Sequence, residues 1–267
     1  MVTRDMASWE TAICKVVSEG DTEEIIVRGH RMTDLIGQVS FAEMMFLMLQ
    51  GKIPTQAQTR TLDALLVASM EHGIAPPSMI ARCYASYGTS LPAAIAAGAS
   101  AFGDRMGGLG EKMAKLLVAR LAVYTDDCAP TDTDLRREAE AIVDEAARAK
   151  VRVPGYGIPL HASDPRSSAV LKIARREGVF GTYCRFGEEI ERALAHARGG
   201  RAVPMNIDGV GAVVALDLGF DWRTTQMFLI TPRTVSFGAH YLEEQSQDTT
   251  WRHVLAGQIT YIGDEPV

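Results

Sequence analysis

The sequence predicts a nearly all-α fold. Three observations carry that reading: apolar residues recur at helical rather than strand spacing along almost the whole chain, two segments open with capping-box residues, and a third sets its apolar side chains on one stripe. Ser40 and Glu43 form the first capping box, ahead of Met44, Met45, Leu47 and Leu49. Thr55 and Gln58 form the second, ahead of Leu62, Leu65, Leu66 and Met70. In each box the two side chains satisfy amides that a helix start leaves unpaired. From Asp134 to Lys150, Leu135, Ala139, Ile142, Val143 and Ala146 share one face while Arg136, Arg137, Glu140 and Asp144 point away, as on an amphipathic surface helix. Further helices are expected from about Pro165 to Arg176 and from about Phe186 to Ala197, the second ended by Gly199 and Gly200 at positive φ. The strand candidate is Glu24 to Arg28, in a small hairpin turning at Gly29. Ala94 to Gly110 is built almost wholly of small residues, which let backbones approach closely, so a tightly packed central helix pair or a subunit contact is expected there. Gly107, Gly108 and Gly110 weaken helix propensity right after Met106, which predicts a turn or a close approach to ligand.

Composition narrows the class. The chain has 267 residues, 47% hydrophobic and 22% charged, which is enough apolar material for a substantial core and excludes disorder. The net charge of -6 comes from interspersed acidic and basic residues, so a nucleic-acid partner, which needs a broad basic face, is not expected. Cys14, Cys83, Cys128 and Cys184 are too scattered for a zinc site or a redox dithiol, and the six histidines lack the close pairing of a metal site, so reduced thiols and no metal are expected. Met1 to Glu10 lacks the apolar core of a signal peptide, and the longest apolar run, around Met44 to Leu49, is too short to span a bilayer. The expectation is a cytoplasmic enzyme or binding protein, with no membrane association. Neither a repeat nor a low-complexity linker divides the chain.

Four places have the residue types for chemistry. Val153-Pro154-Gly155-Tyr156-Gly157 runs into Ile158-Pro-Leu-His161 and Ser163-Asp164-Pro165-Arg166. Its prolines and glycines predict a fixed loop leading into a helix capped by Asp164, where free amides and the Arg166 guanidinium can grip a carboxylate or phosphate. Asn206-Ile-Asp208-Gly209 precedes an apolar helix, and Asp208 there is either an N-cap, which spacing alone favours, or a desolvated general base. Glu71-His72-Gly73 stands ahead of Pro76 and Pro77, and Arg233 lies in one segment with His240; a lone histidine is more often structural than a ligand.

Taken in order, these segments resemble one family. Asp34-Leu-Ile-Gly37, Ser40-Phe-Ala-Glu-Met44, Leu49-Gln-Gly51 with Pro54, Glu71-His72-Gly73, Gly107-Gly108, Pro154-Gly-Tyr-Gly157, Asp164-Pro-Arg166, Asn206-Ile-Asp208-Gly209 and Arg233 are similar to the citrate synthase superfamily, especially its short citryl-CoA lyase members. The resemblance runs from about Asp34 to Tyr241. It implies one citrate synthase-like unit over 1–267, with a large helical subdomain over 1–128 and 200–267 and a small coenzyme A-binding one over 129–199. It implies an acyl-CoA and a carboxylic acid as substrates, and a homodimer or higher oligomer. By the same resemblance Asp208 takes the α-proton of the acyl thioester. His72, Arg166 and Arg233 grip substrate carboxylates, with His161 a further substrate-binding candidate. Val153, Pro154, Gly155, Tyr156 and Gly157 hold the adenine end of coenzyme A. The family's Arg-Pro element near the C-terminus is not evident around Ala256 to Tyr261.

Two catalytic positions depart from the pattern. The family histidine that hydrogen-bonds the enolised thioester oxygen matches Met106, and the one that polarises the acceptor carbonyl matches Ile158. Neither replacement donates a hydrogen bond. Losing one such donor typically costs about 3 to 4 kcal/mol of transition-state stabilisation, and effects within one catalytic unit seldom add. The expectation is therefore an enzyme making or breaking a carbon-carbon bond with a non-standard substrate or reaction; decarboxylation or hydrolysis of a CoA thioester fits the same residues. The alternative is an inactive homologue that binds an acyl-CoA or dicarboxylate as a sensor or complex subunit.

Overall fold

The computed structural model of the chain describes residues 9–20, 22–103, 105–125, 128–157, 164–247 and 250–264. At the N-terminus, β1 (Cys14–Glu19) pairs antiparallel with β2 (Thr22–Val27), and β2 pairs antiparallel with β3 (His30–Arg31), with Val16 opposite Ile25 and Val27 opposite His30. The hairpin turns at Arg28-Gly29 as the sequence suggests. β1 is an addition: its described side chains are mostly exposed, so no alternation of burial marks it in sequence.

A short α1 (Met32–Leu35) leads to α2 (Phe41–Gln50) and α3 (Gln56–Met70). Both expected capping boxes form: Glu43 N donates to Ser40 Oγ at 3.2 Å and Gln58 N to Thr55 Oγ1 at 3.2 Å, each answered by the reciprocal bond. α4 (Pro76–Ser86) and α5 (Leu91–Ser100) pack on each other and on the long α11 (Met227–Ser246). The small residues of α5 allow this: a Cβ built on Gly98 would lie 3.1 Å from the Phe237 ring and from the Pro77 carbonyl oxygen. The small-residue stretch is not itself a helix pair, however. α5 stops at Ser100 and α6 (Leu109–Leu121) begins after an intervening turn.

α7 (Asp132–Ala149) starts ahead of Asp134 because Thr131 caps it in a third capping box, with Asp134 as the reciprocal partner. α8 (Pro165–Arg176) begins where Asp164 and Pro165 predict. α9 (Thr182–Ala197) begins a turn before Phe186. Its first amides are satisfied from a distance: the Asp217 carboxylate accepts from Gly181, Tyr183 and Cys184 N, each at 2.9 Å. α10 (Ile207–Asp217) is buried on all sides, with Val210 and Ala212 to Leu216 in the interior, as an all-apolar helix must be. It packs against α3, α6, α8 and α9. Around it the core gathers Phe46, Leu62, Met113, Leu117, Leu135, Phe186, Ile190 and Phe228. The Phe220 ring stands 4.9 Å from Phe46 and 4.7 Å from Phe228. A central buried helix brings its own first turn, and Asp208 with it, inside the molecule.

Candidate active site

Asp208 is not the helix cap. Asn206 is: its Oδ1 accepts from Gly209 N at 3.1 Å, its own N donates to Gly155 O at 3.0 Å, and its Nδ2 donates to Gly157 O at 3.0 Å. With the capping role taken, the Asp208 carboxylate sits within the first turn of α10, beside a cavity of about 20 Å³ that Ser69, Gly107, Gly110, Thr225 and Gln226 also border. Burial raises its pKa, against the pull of the Arg166 and Arg233 charges. A carboxylate so placed is a stronger base than one in water.

The three carboxylate-gripping candidates come together around the C-terminus of α3. His72 follows the C-cap residue Glu71. Burial, with the charges of Arg166 and Arg233, lowers the His72 pKa, so its imidazole is neutral at neutral pH. Arg233, from α11, is buried and anchors Nε on Ser69 O at 2.8 Å. Its Nη1 lies 3.7 Å from Glu71 Oε1, beyond hydrogen-bonding reach. Arg166 is less open than its sequence context suggests. Asp164 takes the guanidinium in a two-point pair, Nε to Oδ1 at 2.9 Å and Nη2 to Oδ2 at 2.6 Å, while accepting Arg166 N as the cap of α8. The Nη1 edge is what it turns toward the cluster, 3.4 Å from Ala68 O and Glu71 O.

Met106 lies on the turn between α5 and α6. Its N and O exchange hydrogen bonds with Gly103 at 2.9 and 2.8 Å. Gly107 has φ 73°, and a Cβ there would overlap the Phe102 ring and approach Leu229 Cδ2 to 3.0 Å, so the turn requires glycine. The turn delivers the start of α6 to Asp208: a Cβ on Gly110 would stand 3.0 Å from Asp208 O, and Gly110 and Glu111 line the same cavity. The amides of that first helical turn have no intrahelical partners and carry the positive end of the helix dipole.

The loop Val153 to Gly157 is fastened to the residues leading into α10. Tyr156 and Met205 form a bridge, Gly157 N donates to Pro204 O at 2.9 Å, and Gly155 touches Gly209. The Val153 and Tyr156 side chains are core residues, with Tyr156 OH bonded to Gly187 O at 2.8 Å. What this loop offers a ligand is its backbone near Pro154 and Gly157. Ile158 and His161 lie outside the described residues.

Sequence reasoning missed the Glu71 carboxylate. Its partners, Arg233, Ser236 and His240, come from α11 more than 160 residues away, and no local pattern announces them.

Comparison with known proteins supplies the family. The profile described as citrate synthase, C-terminal domain, matches residues 2–62 and 57–253. The citryl-CoA lyase from Hydrogenobacter thermophilus is 33% identical, with 97% of this chain aligned to 96% of that one at a TM-score of 0.83. ATP citrate lyase from Methanothrix soehngenii, solved with citrate and coenzyme A, shares the fold at 17% identity and TM-score 0.79, over 98% of this chain and 43% of that one. Citrate synthase from Thermotoga maritima does so at 16% identity and TM-score 0.60, over 97% of this chain and 94% of that one. No curated protein matches the sequence significantly. A desolvated carboxylate within the field of two helix-borne arginines thus stands in a chain that belongs to the citrate synthase and citryl-CoA lyase superfamily.

Proposed function

We propose that the chain is an enzyme that makes or breaks a carbon-carbon bond between an acyl-CoA and a carboxylate-bearing carbonyl compound. The observation that carries the reading is Asp208, a desolvated carboxylate at the start of the buried α10, next to the free amides of α6 and within the field of Arg166 and Arg233. In the forward direction Asp208 takes the α-proton of the thioester, the resulting enolate carbon attacks the acceptor carbonyl, and the alkoxide so formed takes a proton from water. In reverse, the substrate hydroxyl gives its proton to water, the carbon-carbon bond breaks to leave the carbonyl and the enolate, and protonated Asp208 delivers its proton to the enolate carbon. Arg233 and His72 hold the acceptor carboxylate, Arg166 adds its Nη1 edge, and the Val153–Gly157 loop receives coenzyme A through its backbone. The amides of Gly110 and Glu111 take the part that a histidine at position 106 would play, meeting the enolate oxygen at a helix N-terminus. The 33% identity to a citryl-CoA lyase supports an acyl-CoA as substrate.

Assaying acyl-CoAs against oxo and hydroxy acids by mass spectrometry, in both directions and with citrate and citryl-CoA as controls, tests the reading. Asp208→Asn is expected to lower turnover by about 10²- to 10⁴-fold, the usual contribution of a positioned base. Undiminished activity in that variant refutes the role.

Met106 favours a second reading, an acyl-CoA- or dicarboxylate-binding homologue without turnover. Ligand binding with no Asp208-dependent reaction across the panel supports it. In either reading the family resemblance carries a homodimer, which light scattering at micromolar concentration tests.

A further inference from the structure

Glu71 touches every member of the carboxylate grip. Its Oε1 accepts the backbone N–H of His72 at 2.7 Å and lies 3.7 Å from Arg233 Nη1, while its carbonyl oxygen lies 3.4 Å from Arg166 Nη1. The other carboxylate oxygen, Oε2, is held from behind by the Ser236 hydroxyl and by His240 Nε2 at 3.1 Å. His240 Nδ1 is 3.4 Å from Arg82 Nη1. An arginine only donates, so Nδ1 is the acceptor of that contact and Nε2 carries the proton given to Glu71. Arg82 is fixed in turn by Glu244, Nε to Oε2 at 2.6 Å, with Glu243 and Gln247 on its terminal nitrogens. Burial pushes the Glu71 pKa up, but the Ser236 and His72 hydrogen bonds and the Arg233 charge hold it below the usual glutamate value, so it is ionised at neutral pH.

From this geometry we infer that Glu71 is a positioning residue: it fixes where His72 and Arg233 present their donors, and thereby sets the affinity for the substrate carboxylate. The inference rests on the functional reading above, in which His72, Arg166 and Arg233 bind that carboxylate. It makes a prediction opposite in sign to plain electrostatics. Glu71 is an anion beside an anion site, so if it were a bystander, removing its charge would tighten binding of a carboxylate. As a positioning group, its removal weakens binding, because the His72 backbone N–H loses its acceptor and Arg233 loses the nearby charge that orients its guanidinium.

The test is isothermal titration of the full chain with citrate, oxaloacetate and succinate, comparing wild type with Glu71→Gln, Glu71→Ala and Ser236→Ala. The tightest of the three probes for wild type is expected to bind Glu71→Ala about tenfold more weakly, a loss of about 1.4 kcal/mol. Glu71→Gln keeps the size of the side chain and an acceptor for His72 N, and is expected to fall between the two. Ser236→Ala, which leaves every charge in place, is expected to weaken binding in the same direction, and it carries the test if Glu71→Ala fails to fold. On an active substrate pair, Glu71→Gln is expected to raise KM for the acid and leave KM for the acyl-CoA unchanged, a split that general loosening of the fold does not produce. Unchanged or tighter binding in folded Glu71→Gln overturns the inference and leaves the functional reading standing. A wild-type protein that binds none of the three acids overturns both.

Discussion

Gly209 and Gly211 stand two residues apart in α10, and replacing each with alanine is expected to move stability in opposite directions. A Cβ on Gly209 would overlap the carbonyl oxygen of Gly155, come within 2.6 Å of Met205 Cγ and lie 3.1 Å from Gly155 C. Most of that obstruction is backbone, in a loop itself pinned by Asn206 and Pro204, so it has little room to yield. Among the described residues, a Cβ on Gly211 would meet only Leu65 Cδ1, at the ordinary contact distance of 3.7 Å. Both substitutions gain about 1 kcal/mol of intrinsic helix propensity. Gly209→Ala adds an overpacking cost of about 2 to 3 kcal/mol, leaving it about 1 to 2 kcal/mol less stable than wild type, whereas Gly211→Ala keeps the gain. At about 2 to 4 °C per kcal/mol for a chain of this size, Tm should fall by roughly 2 to 8 °C in the first variant and rise by roughly 2 to 4 °C in the second. Differential scanning calorimetry at one fixed protein concentration reads both, which matters for a chain whose stability could include self-association. Equal shifts in the two variants, or a rise in Gly209→Ala, would refute the claim that the loop backbone is seated directly on the first turn of α10.

Asp208→Asn should stabilise the fold while it removes the proposed base. Burial holds the Asp208 pKa above its ordinary 3.8, so the folded chain favours the protonated acid; that stability contribution is intact below 3.8 and is lost as pH rises through the raised value. The Tm advantage of Asp208→Asn over wild type should therefore grow as pH rises from 3.8 through the raised pKa and level off above it, and a constant offset would contradict the assignment. Asp217→Ala strips the acceptor from three amides at the start of α9 and should cost about 2 to 4 kcal/mol in denaturant unfolding. Tyr156→Phe deletes one buried bond to Gly187 O and should cost about 1 kcal/mol in the same assay.

What could be read from sequence and what could not divides by distance along the chain. Ser40 with Glu43, Thr55 with Gln58, and Asp164 with Pro165 mark helix starts through partners three residues away or fewer, and all three starts stand where those residues put them. The start of α9 is different. Its amides are capped by Asp217, 33 residues or more downstream, so the local sequence places the boundary a turn too late. Asp208 shows a local rule pointing the wrong way. A carboxylate two residues into an apolar helix has the look of a cap, but Asn206 occupies that role, and only the packing of Gly155 on Gly209 reveals how firmly the cap is fixed.

The same division applies inside the candidate site. Residue types alone nominate Arg166, Arg233 and His72 as anion binders, yet they say nothing about which guanidinium is already engaged. The structure answers that with Asp164, which occupies the Nε and Nη2 donors of Arg166, and with Glu71, which stays just out of hydrogen-bonding range of Arg233. A two-point pair to a fixed carboxylate must be loosened or bypassed before its arginine can grip a ligand, whereas a 3.7 Å separation leaves donors ready. On the proposed function, Arg233, rather than the more conspicuous Arg166 of the Asp-Pro-Arg motif, is expected to be the stronger determinant of carboxylate affinity, and Arg233→Lys should weaken binding of the titrated acids more than Arg166→Lys does. The reverse order of Kd values would mean that the Asp164 pair opens on binding and that Arg166 leads.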